Sequence, residues 1–369
     1  MQLLWLSLEN FRNYTTLELA FHPQVTRIVG DNAQGKTNLL EAVYFLGRGH
    51  SFRTSHRSDL ICYECTAGII RAQSTTKGLQ DEWCVEITRE RNRFLCNGKS
   101  MRSPDERWPY IILFAPEETM LFRGEPSGRR EYLDALIAGL DTSYRTTLNN
   151  FRRVLQQRNR ILHEAEGFSS AQVREQLAPW TEQLLEYGSK IIIARQRWID
   201  TLNTVLPLQH AQFARRDGAI QLVYLPSVRD ITEFRAALAA RHDEELARRM
   251  TVVGPQRDDF AATLAGMDLK HYGSQGQHRS VVISLKLAEV RLVLERIGHA
   301  PILLLDDVAS ELDPSRIRDF LETIQAMECQ IILSTVHLAD QHARHQTRSA
   351  TIVVQHGTIL SSVPSAISL

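Results

Sequence analysis

A glycine-rich loop near the N-terminus has the residue types and spacing of a phosphate-binding loop. The run from Gly30 to Thr37 fits the pattern G-x-x-x-x-G-K-[ST], and it follows an apolar segment, Gln24 to Val29, that we expect to be a strand. In such a loop backbone N–H groups hold phosphate oxygens, the lysine reaches the β- and γ-phosphates, and the hydroxyl binds Mg²⁺. The sequence therefore predicts a nucleoside triphosphate site, with ATP and Mg²⁺ as its ligands. The residues expected to contact the nucleotide here are Gly30, Asp31, Asn32, Ala33, Gln34, Gly35, Lys36, Thr37 and Asn38.

A pair of carboxylates follows a second apolar segment, Ile302 to Leu305. A phosphate-binding loop needs an acidic residue at a strand end for its metal ion, and Asp306 stands in that position. Asp307 comes next, where a carboxylate would orient or deprotonate the attacking water. We therefore expect Asp306 and Thr37 to hold the metal, and Asp307 to act as the base.

A third candidate site precedes the apolar helix expected from Val281 to Leu294. Ser274 has the character of a helix N-cap, and Gly276 and Gln277 follow it. The N–H groups of a helix N-terminus bind phosphate well, but a Ser-Gly cap is commonly only a cap. Whether this cap also binds phosphate is judged from what the surrounding sequence resembles.

Composition limits the class of protein. The chain has 369 residues, of which 43% are apolar and 23% charged, which is typical of a globular protein with room for two domains. Lysine plus arginine equals aspartate plus glutamate at 43 each, so any nucleic-acid surface must be a local patch. The sequence shows neither a membrane span nor a signal peptide, so we expect a cytoplasmic protein without membrane contact.

The cysteines indicate a reducing compartment. There are five, and an odd number argues against a disulfide framework. Cys62 and Cys65 have metal-ligand spacing, but Cys84 and Cys96 are too far apart to supply a second knuckle. We expect packed thiols and no zinc.

The order of predicted elements favours a discontinuous α/β domain interrupted by helices. Strands are expected at both ends of the chain, and Asn97-Gly98 has the sequence of a type I′ hairpin turn. Helical spacing dominates between, with long helices from Tyr144 to Glu164 and from Glu182 to Leu202. The predicted head comprises residues 1–117 and 251–369, and the predicted helical lobe comprises residues 118–250.

Several motifs resemble those of ABC ATPases and occur in the ABC order. Ser274 to Gln277 resembles the signature motif, and Ser310 to Asp313 resembles the D-loop. More narrowly, four stretches resemble the RecF family of bacterial recombination mediators, and the resemblance extends over essentially the whole chain. These stretches are Asn10 to Tyr14, Asn32 to Ala42, Gly254 to Asp259, and Leu304 to Val308.

The resemblance implies an ABC-type, SMC/Rad50-like P-loop ATPase head with an inserted, mainly helical second lobe. It implies DNA binding at single-strand gaps, ATP-dependent homodimerisation, slow ATP hydrolysis, and cooperation with RecR and RecO in loading recombinase. Ser274, with Gly276 and Gln277, would contact the γ-phosphate of ATP on the other subunit, and Arg12 would contact nucleotide. The base remains open between Asp307 and Glu311.

The chain departs from the family's pattern at three places. Gln256 and His278 stand where His and Gln are expected, and His337 lies two residues after Thr335 instead of directly after it. A transporter ATPase with the same fold would need a switch histidine and a surface for a membrane-embedded helix. A small-molecule P-loop enzyme would leave Ser274 to Gln277 without a role. Both alternatives fit less well than a DNA-repair ATPase.

Two groups of basic residues are candidates for DNA contact. The segment Gly47 to Ser58 has no acidic residue, and its guanidinium groups, Arg48, Arg53 and Arg57, are suited to phosphates. A stripe on the helix from Tyr144 is better explained as a solvated face. No base-reading motif is present, so we expect recognition of DNA backbone or junction shape. The stripe comprises Arg145, Asn149, Arg152, Gln156 and Arg160.

Overall fold

The computed structural model of the chain describes residues 1–101, 109–214, 217–307, 314–336 and 349–364. The chain divides into two compact units. The first comprises Met1–Glu118 with Val290–Leu369, and the second comprises Thr119–Glu289.

The elements have the following bounds. The strands are β1 (Gln2–Phe11), β2 (Tyr14–Ala20), β3 (Val25–Val29), β4 (Ala67–Thr76), β5 (Leu79–Thr88), β6 (Asn92–Cys96), β7 (Lys99–Met101), β8 (Ile111–Phe114), β9 (Ile220–Leu225), β10 (Asp259–Leu264), β11 (Met267–Asp268), β12 (Ile302–Leu305), β13 (Gln330–Thr335), β14 (Ser349–Gln355) and β15 (Thr358–Pro364). The α-helices are α1 (Lys36–Arg48), α2 (Pro126–Leu140), α3 (Thr142–His163), α4 (Ser170–Phe213), α5 (Ile231–Ala240), α6 (His242–Arg248), α7 (Leu269–Tyr272), α8 (Gln275–Ile297) and α9 (Pro314–Ala326). Short 3₁₀ helices span Arg57–Leu60, Pro116–Met120 and Pro255–Arg257.

The first unit contains two sheets. One is antiparallel, in the order β2-β1-β4-β5-β6-β7, and its last hairpin turns at Asn97-Gly98 with positive φ at both residues, as a type I′ turn requires. The other has the order β15-β14-β3-β13-β12-β8, with parallel pairing from β14 through to β8. β8 and β12 are buried along their whole length, because a parallel sheet is covered on both faces.

The order of the parallel sheet brings the predicted chemistry to one edge. β13 lies between β3 and β12, so the phosphate-binding loop after β3 and Asp306 after β12 leave the sheet at its carboxyl end. Helix α1 buries Leu39, Val43 and Leu46 in the core that the two sheets share. The predicted α/β head is confirmed in this unit.

The second unit combines helices with a small sheet. Helix α4 is 44 residues long and contains Pro179 and Pro207, so it extends beyond both ends of the helix predicted from Glu182 to Leu202. Proline has no N–H and usually ends a helix. The sequence therefore did not predict that α4 is continuous through both prolines. Ser169 begins α4 with a reciprocal capping box to Gln172.

Two features of this unit differ from the prediction. β9 lies in a segment expected to be helical, and it pairs with β10 along six residues from Ile220 to Leu225. Because of that pairing, residues 251–289 pack with the second unit, whereas the sequence assigned them to the head. Among the described residues, no helix is both long and apolar enough to cross a membrane.

Candidate nucleotide site

The phosphate-binding loop requires glycine at both ends of its pattern. A Cβ on Gly30 would collide with the carbonyl oxygen of Val354. Gly35 has a φ of 114°, which favours glycine, and a Cβ there would lie 2.6 Å from Nδ2 of Asn13. Helix α1 starts directly after Gly35, so its free N–H groups point into the loop.

The side chain of Lys36 folds back over the phosphate-binding loop. Its Nζ donates hydrogen bonds to the carbonyl oxygens of Gly30 and Asp31, each at 2.7 Å. Burial lowers the pKa of Lys36, and the carboxylates of Asp307 and Asp306 oppose that shift. A cation held at this position by weak carbonyl acceptors is suited to transfer to phosphate oxygens.

Asp306, directly after β12, accepts hydrogen bonds from two hydroxyl groups. Its Oδ1 accepts hydrogen bonds from Oγ of Ser334 at 2.6 Å and from Oγ1 of Thr37 at 3.2 Å. The structure thus brings together the hydroxyl and the carboxylate that were predicted to share a metal ion. Both donors are neutral, so they orient the carboxylate without cancelling its charge.

Asp307 has an unusual backbone conformation. Its φ is 47°, in the left-handed region, and its N–H donates to Oγ of Ser334 at 3.0 Å. Aspartate tolerates this region better than most residues, but strain there is concentrated at functional sites. The turn redirects the chain directly after Asp306.

The hairpin turn between β14 and β15 donates hydrogen bonds to the phosphate-binding loop. The N–H of Gly357 donates to the carbonyl oxygen of Gln34 at 3.1 Å, and the N–H of His356 donates to the Gln34 side chain at 2.7 Å. Tyr14 adds a hydrogen bond from its buried hydroxyl to the carbonyl oxygen of Gly35 at 3.0 Å. These contacts fix the loop backbone before any ligand arrives. The adjoining Asp31, Asn32 and Ala33 are exposed.

Arg12 belongs to a polar network beside the loop. Its guanidinium makes two hydrogen bonds, of 2.6 and 2.7 Å, to the carboxylate of Glu41, which is fully buried in α1. The hydroxyl of Ser51 also donates to Glu41. Arg53 donates to Oδ1 of Asn38 at 2.7 Å, and Nδ2 of Asn38 donates to Oδ1 of Asn13 at 2.8 Å.

The predicted signature residues form a helix cap in the second unit. The N–H of Ser274 donates to the Gln277 side chain at 2.9 Å, and the N–H of Gln277 donates to Oγ of Ser274 at 3.2 Å. This reciprocal capping box confirms that Ser274 is the N-cap of α8. Ser274 and Gly276 are exposed, and a Cβ on Gly276 would meet no atom within 4 Å among the described residues.

The predicted DNA-binding arginines differ in their surroundings. Arg48 is half-buried at the end of α1, where it donates to the carbonyl oxygen of Ile111 at 2.8 Å and stacks over Tyr110 at 4.6 Å. That double contact is structural, so the expectation of unpaired guanidinium groups is wrong for Arg48. Arg53 and Arg57 are exposed, and Arg57 donates to the carbonyl oxygen of Glu90 at 3.1 Å.

Other predicted residues have structural surroundings or fall outside the described ranges. Nε2 of Gln256 donates to the carbonyl oxygen of Val253 at 2.8 Å. His278 is buried within α8, and desolvation lowers its pKa. Cys62 donates its thiol to the carbonyl oxygen of Arg12 at 2.9 Å, and burial raises its pKa. Glu311 and the D-loop that contains it, as well as His337, lie outside the described residues.

Sequence reasoning missed two residues of this site. Ser334 bridges Asp306 and the backbone of Asp307, and Glu41 holds Arg12. Neither sequence pattern indicates which distant residue the side chain contacts. The only available signal was that a polar serine ends the otherwise apolar run of β13.

Comparisons with known proteins agree on one family. The sequence profile of the RecF/RecN/SMC N-terminal domain matches residues 2–106. The DNA replication and repair protein RecF of Lactococcus lactis subsp. cremoris strain SK11 is 35% identical over 367 residues, covering 97% of this chain and 99% of that protein. RecF of Streptococcus gordonii strain Challis is 36% identical over 367 residues, covering 96% and 98%.

Solved structures give the same result. A structure of the recombination mediator protein RecF with ATP, from the RecFOR pathway, superimposes with a TM-score of 0.89 at 28% identity and covers 98% of this chain and 97% of that one. An Smc head domain from Pyrococcus furiosus, at 15% identity and a TM-score of 0.56 over 98% and 96% of the two chains, shares the fold alone. With nearly full-length relatives above 30% identity, this chain belongs to the RecF family of DNA replication and repair proteins.

Proposed function

We propose that the chain is an ATP-dependent DNA-binding protein of recombinational repair, acting in the cytoplasm. In this proposal two copies close around ATP on DNA at single-strand gaps, assist the loading of recombinase, and separate after slow hydrolysis. One observation carries the ATP-dependent part of it. The hydroxyl of Thr37 lies 3.2 Å from the carboxylate of Asp306, and the side chain of Lys36 lies over the phosphate-binding loop.

The residues fit ATP and Mg²⁺ on chemical grounds. Gly30 and Gly35 keep side chains out of the loop, and the N-terminal N–H groups of α1 suit phosphate. A hydroxyl and a carboxylate oxygen are the ligands that Mg²⁺ takes beside nucleotide phosphates. Bound Mg²⁺ would neutralise charge that develops on the phosphates. Lys36 would hold the β- and γ-phosphates, and Asp307 would accept a proton from the attacking water.

In this proposal Ser274 is the residue through which a second subunit contacts the bound ATP. Its hydroxyl and the first N–H groups of α8 lie on an exposed helix N-terminus, which is suited to an anion. If this cap contacts the γ-phosphate of ATP on another copy, ATP favours the dimer because only the dimer makes those contacts. ADP has no γ-phosphate, so hydrolysis would release the clamp. Aspartate at position 307 is one methylene shorter than glutamate, which is consistent with slow turnover.

The partners follow from the relatives. The similar solved structures come from RecF in the RecFOR pathway, and on that basis we propose RecR, with RecO, as partners of this chain on DNA. Among the predicted DNA contacts, Arg53 and Arg57 keep exposed guanidinium groups, whereas Arg48 is held by Ile111 and Tyr110. Backbone contacts by such groups would make DNA affinity fall with salt.

Sedimentation velocity tests the proposal. Wild type should sediment as a dimer with ATP and as a monomer with ADP or without nucleotide, and gapped DNA should strengthen the dimer. Ser274→Arg should bind ATP yet remain monomeric.

Ser169→Arg is the matched control, because Ser169 and Gln172 form the same capping box at the start of α4. Both substitutions remove a helix cap, so both should cost about 1 kcal/mol of stability. Only Ser274→Arg should lose dimerisation. An ATP-independent monomer, or a Ser274→Arg protein that dimerises like wild type, would refute the shared site.

A further inference from the structure

A cavity in the second unit has arginines at its rim. It is an open concavity of about 470 Å³ between α5, α6 and the chain from residue 252 to 257. Arg241 follows α5, Arg248 lies in the last turn of α6, and Arg257 ends the 3₁₀ helix Pro255–Arg257. All three side chains are exposed at the surface. One carboxylate, Glu244, also lines the cavity.

The charges at the rim do not cancel. Glu244 pairs with Arg248 at 3.0 Å, which uses the one carboxylate of the lining on one of the three arginines. Among the described residues, the side chain of Arg241 has no hydrogen-bond or ion-pair partner, and that of Arg257 meets only the sulfur of Met250, at 3.7 Å. Two positive charges therefore face the cavity without a carboxylate.

Neighbouring arginines of the same unit are different. Arg229 pairs with Glu233 at 3.5 Å, and Arg249 pairs with Glu166 at 3.3 Å. Arg235 makes a two-pronged ion pair with Glu182. These three arginines are neutralised by carboxylates, whereas two of the three at the cavity are not, so the cavity carries an excess of positive charge. Because the whole chain carries equal numbers of basic and acidic residues, this excess is a local feature.

The floor of the cavity favours phosphate over an apolar anchor. Val252 and Val253 line it, but they are only 7% and 4% exposed and so offer little apolar surface. An acidic peptide normally adds a large apolar side chain to its charges, and such a side chain would find no deep apolar pocket here. Guanidinium groups around an open concavity bind phosphate oxygens through paired N–H donors.

From this geometry we infer that the arginine cavity, defined by Arg241, Arg248 and Arg257, is a binding site for the phosphate backbone of DNA. The inference rests on the proposed DNA-binding function and gives it a surface in the second unit. Arg257 belongs to the stretch Gly254 to Asp259, which resembles the family. Its guanidinium supplies one of the phosphate contacts.

Salt-dependent DNA binding tests the site. Fluorescence anisotropy with labelled gapped DNA between 50 and 200 mM salt gives the slope of log affinity against log salt. Each lost phosphate contact lowers the slope by about 0.9, so a triple variant (Arg241→Gln, Arg248→Gln, Arg257→Gln) should lose about 1.8, because Arg248 already pairs with Glu244 and only the other two charges are unpaired. Replacing the same three residues by lysine should retain most of the slope, since the charges remain.

The matched control changes the same charge in the same unit. The triple variant Arg229→Gln, Arg235→Gln, Arg249→Gln removes three arginines that already pair with carboxylates, so its slope should stay at the wild-type value. ATP binding should be unchanged in both variants, which verifies that they are folded.

The outcomes separate the site from the function. If wild type binds DNA and the cavity variant keeps the wild-type slope, the site is refuted and DNA binding stands. If polyglutamate binds wild type but not the cavity variant while DNA binding is equal in both, the cavity takes acidic peptide and the inference is wrong. If wild type binds no DNA, the proposed function fails as well.

Discussion

The chain contains two Asp-Asp pairs, each next to a strand, and their surroundings differ. Asp258 and Asp259 lie at the start of β10 in the second unit, whereas Asp306 and Asp307 follow β12 in the first unit. Both pairs occur in stretches that resemble the RecF family. Only the second pair follows a continuous apolar segment in the sequence, and the hydrogen-bond partners in the structure also differ between the pairs.

The pair in the second unit is neutralised by arginines. Asp258 is fully buried and accepts from Arg195 at 3.1 Å and from the hydroxyl of Tyr224. Asp259 accepts two hydrogen bonds from Arg129, at 2.7 and 2.8 Å. Burial alone would lower the pKa of Arg195, and the neighbouring carboxylate of Asp134 raises it instead. Such a satisfied network holds the unit together.

The pair in the first unit is oriented by neutral groups. Thr37 and Ser334 donate hydroxyl hydrogens to Asp306, and Asp307 has a left-handed backbone. Hydroxyl donors orient Asp306, and both carboxylates act on Lys36 of the phosphate-binding loop, an arrangement suited to a metal ion and a reacting water. The hydrogen-bond donors of a carboxylate pair thus indicate whether the pair stabilises the fold or takes part in chemistry.

The largest expected effect is on stability, at the buried arginine. Arg195→Leu leaves Asp134 and Asp258 buried without their cation, so the free energy of unfolding should fall by about 3–5 kcal/mol. Urea unfolding followed by circular dichroism measures it. Arg235→Leu is the control, because that arginine pairs with Glu182 at the exposed surface and should change stability little. Equal losses in the two variants would contradict the structural assignment.

The next effect is on turnover, at the metal carboxylate. Asp306→Asn keeps the shape but removes the charge, so Mg²⁺-dependent ATP hydrolysis should fall by roughly two to three orders of magnitude, with little loss of stability. Asp258→Asn is the matched control, and it should lose stability and keep turnover per folded molecule. A reversed pattern would show that the two pairs have been assigned the wrong way round.

A smaller effect is expected at the serine that joins the two carboxylates. Ser334→Ala removes a donor to Asp306 and the acceptor of the Asp307 N–H, so stability should fall by about 1–3 kcal/mol. Turnover should fall by roughly tenfold because both carboxylates lose their positioning.

Ser284→Ala separates these two effects. Ser284 is also buried, and its hydroxyl donates to the carbonyl oxygen of Ser280 at 2.7 Å. Its loss should lower stability similarly and leave turnover unchanged. If the two serine variants lose turnover equally, Ser334 has no positioning role.

Sequence predicted the parts of the site that are local. Lys36 and Thr37 follow from a loop pattern in which eight consecutive residues carry the signal, and Asp306 follows from a short apolar strand. The α/β head was predictable for the same reason, since β8 and β12 are continuous apolar runs. Local spacing also predicted the cap at Ser274.

The remainder depends on contacts between distant parts of the chain. Ser334 reaches Asp306 across 28 positions, and Arg12 reaches Glu41 across 29. The pairing of β9 with β10 spans a helical region, so an alternating strand of six residues was read as part of a helical lobe. Arg48 looked like an exposed cation because its partners, Ile111 and Tyr110, lie more than sixty positions away.

The most direct test of the comparison is ATP turnover by Asp307→Asn. This variant should bind ATP with wild-type affinity and unfold at the same urea concentration as wild type. Its hydrolysis should fall by about 10²- to 10⁴-fold, because the carboxylate that accepts the proton is lost. It should therefore accumulate as the ATP-bound dimer. Unchanged turnover in a folded, ATP-binding Asp307→Asn protein would contradict the account, and the base would have to be sought elsewhere, starting with Glu311.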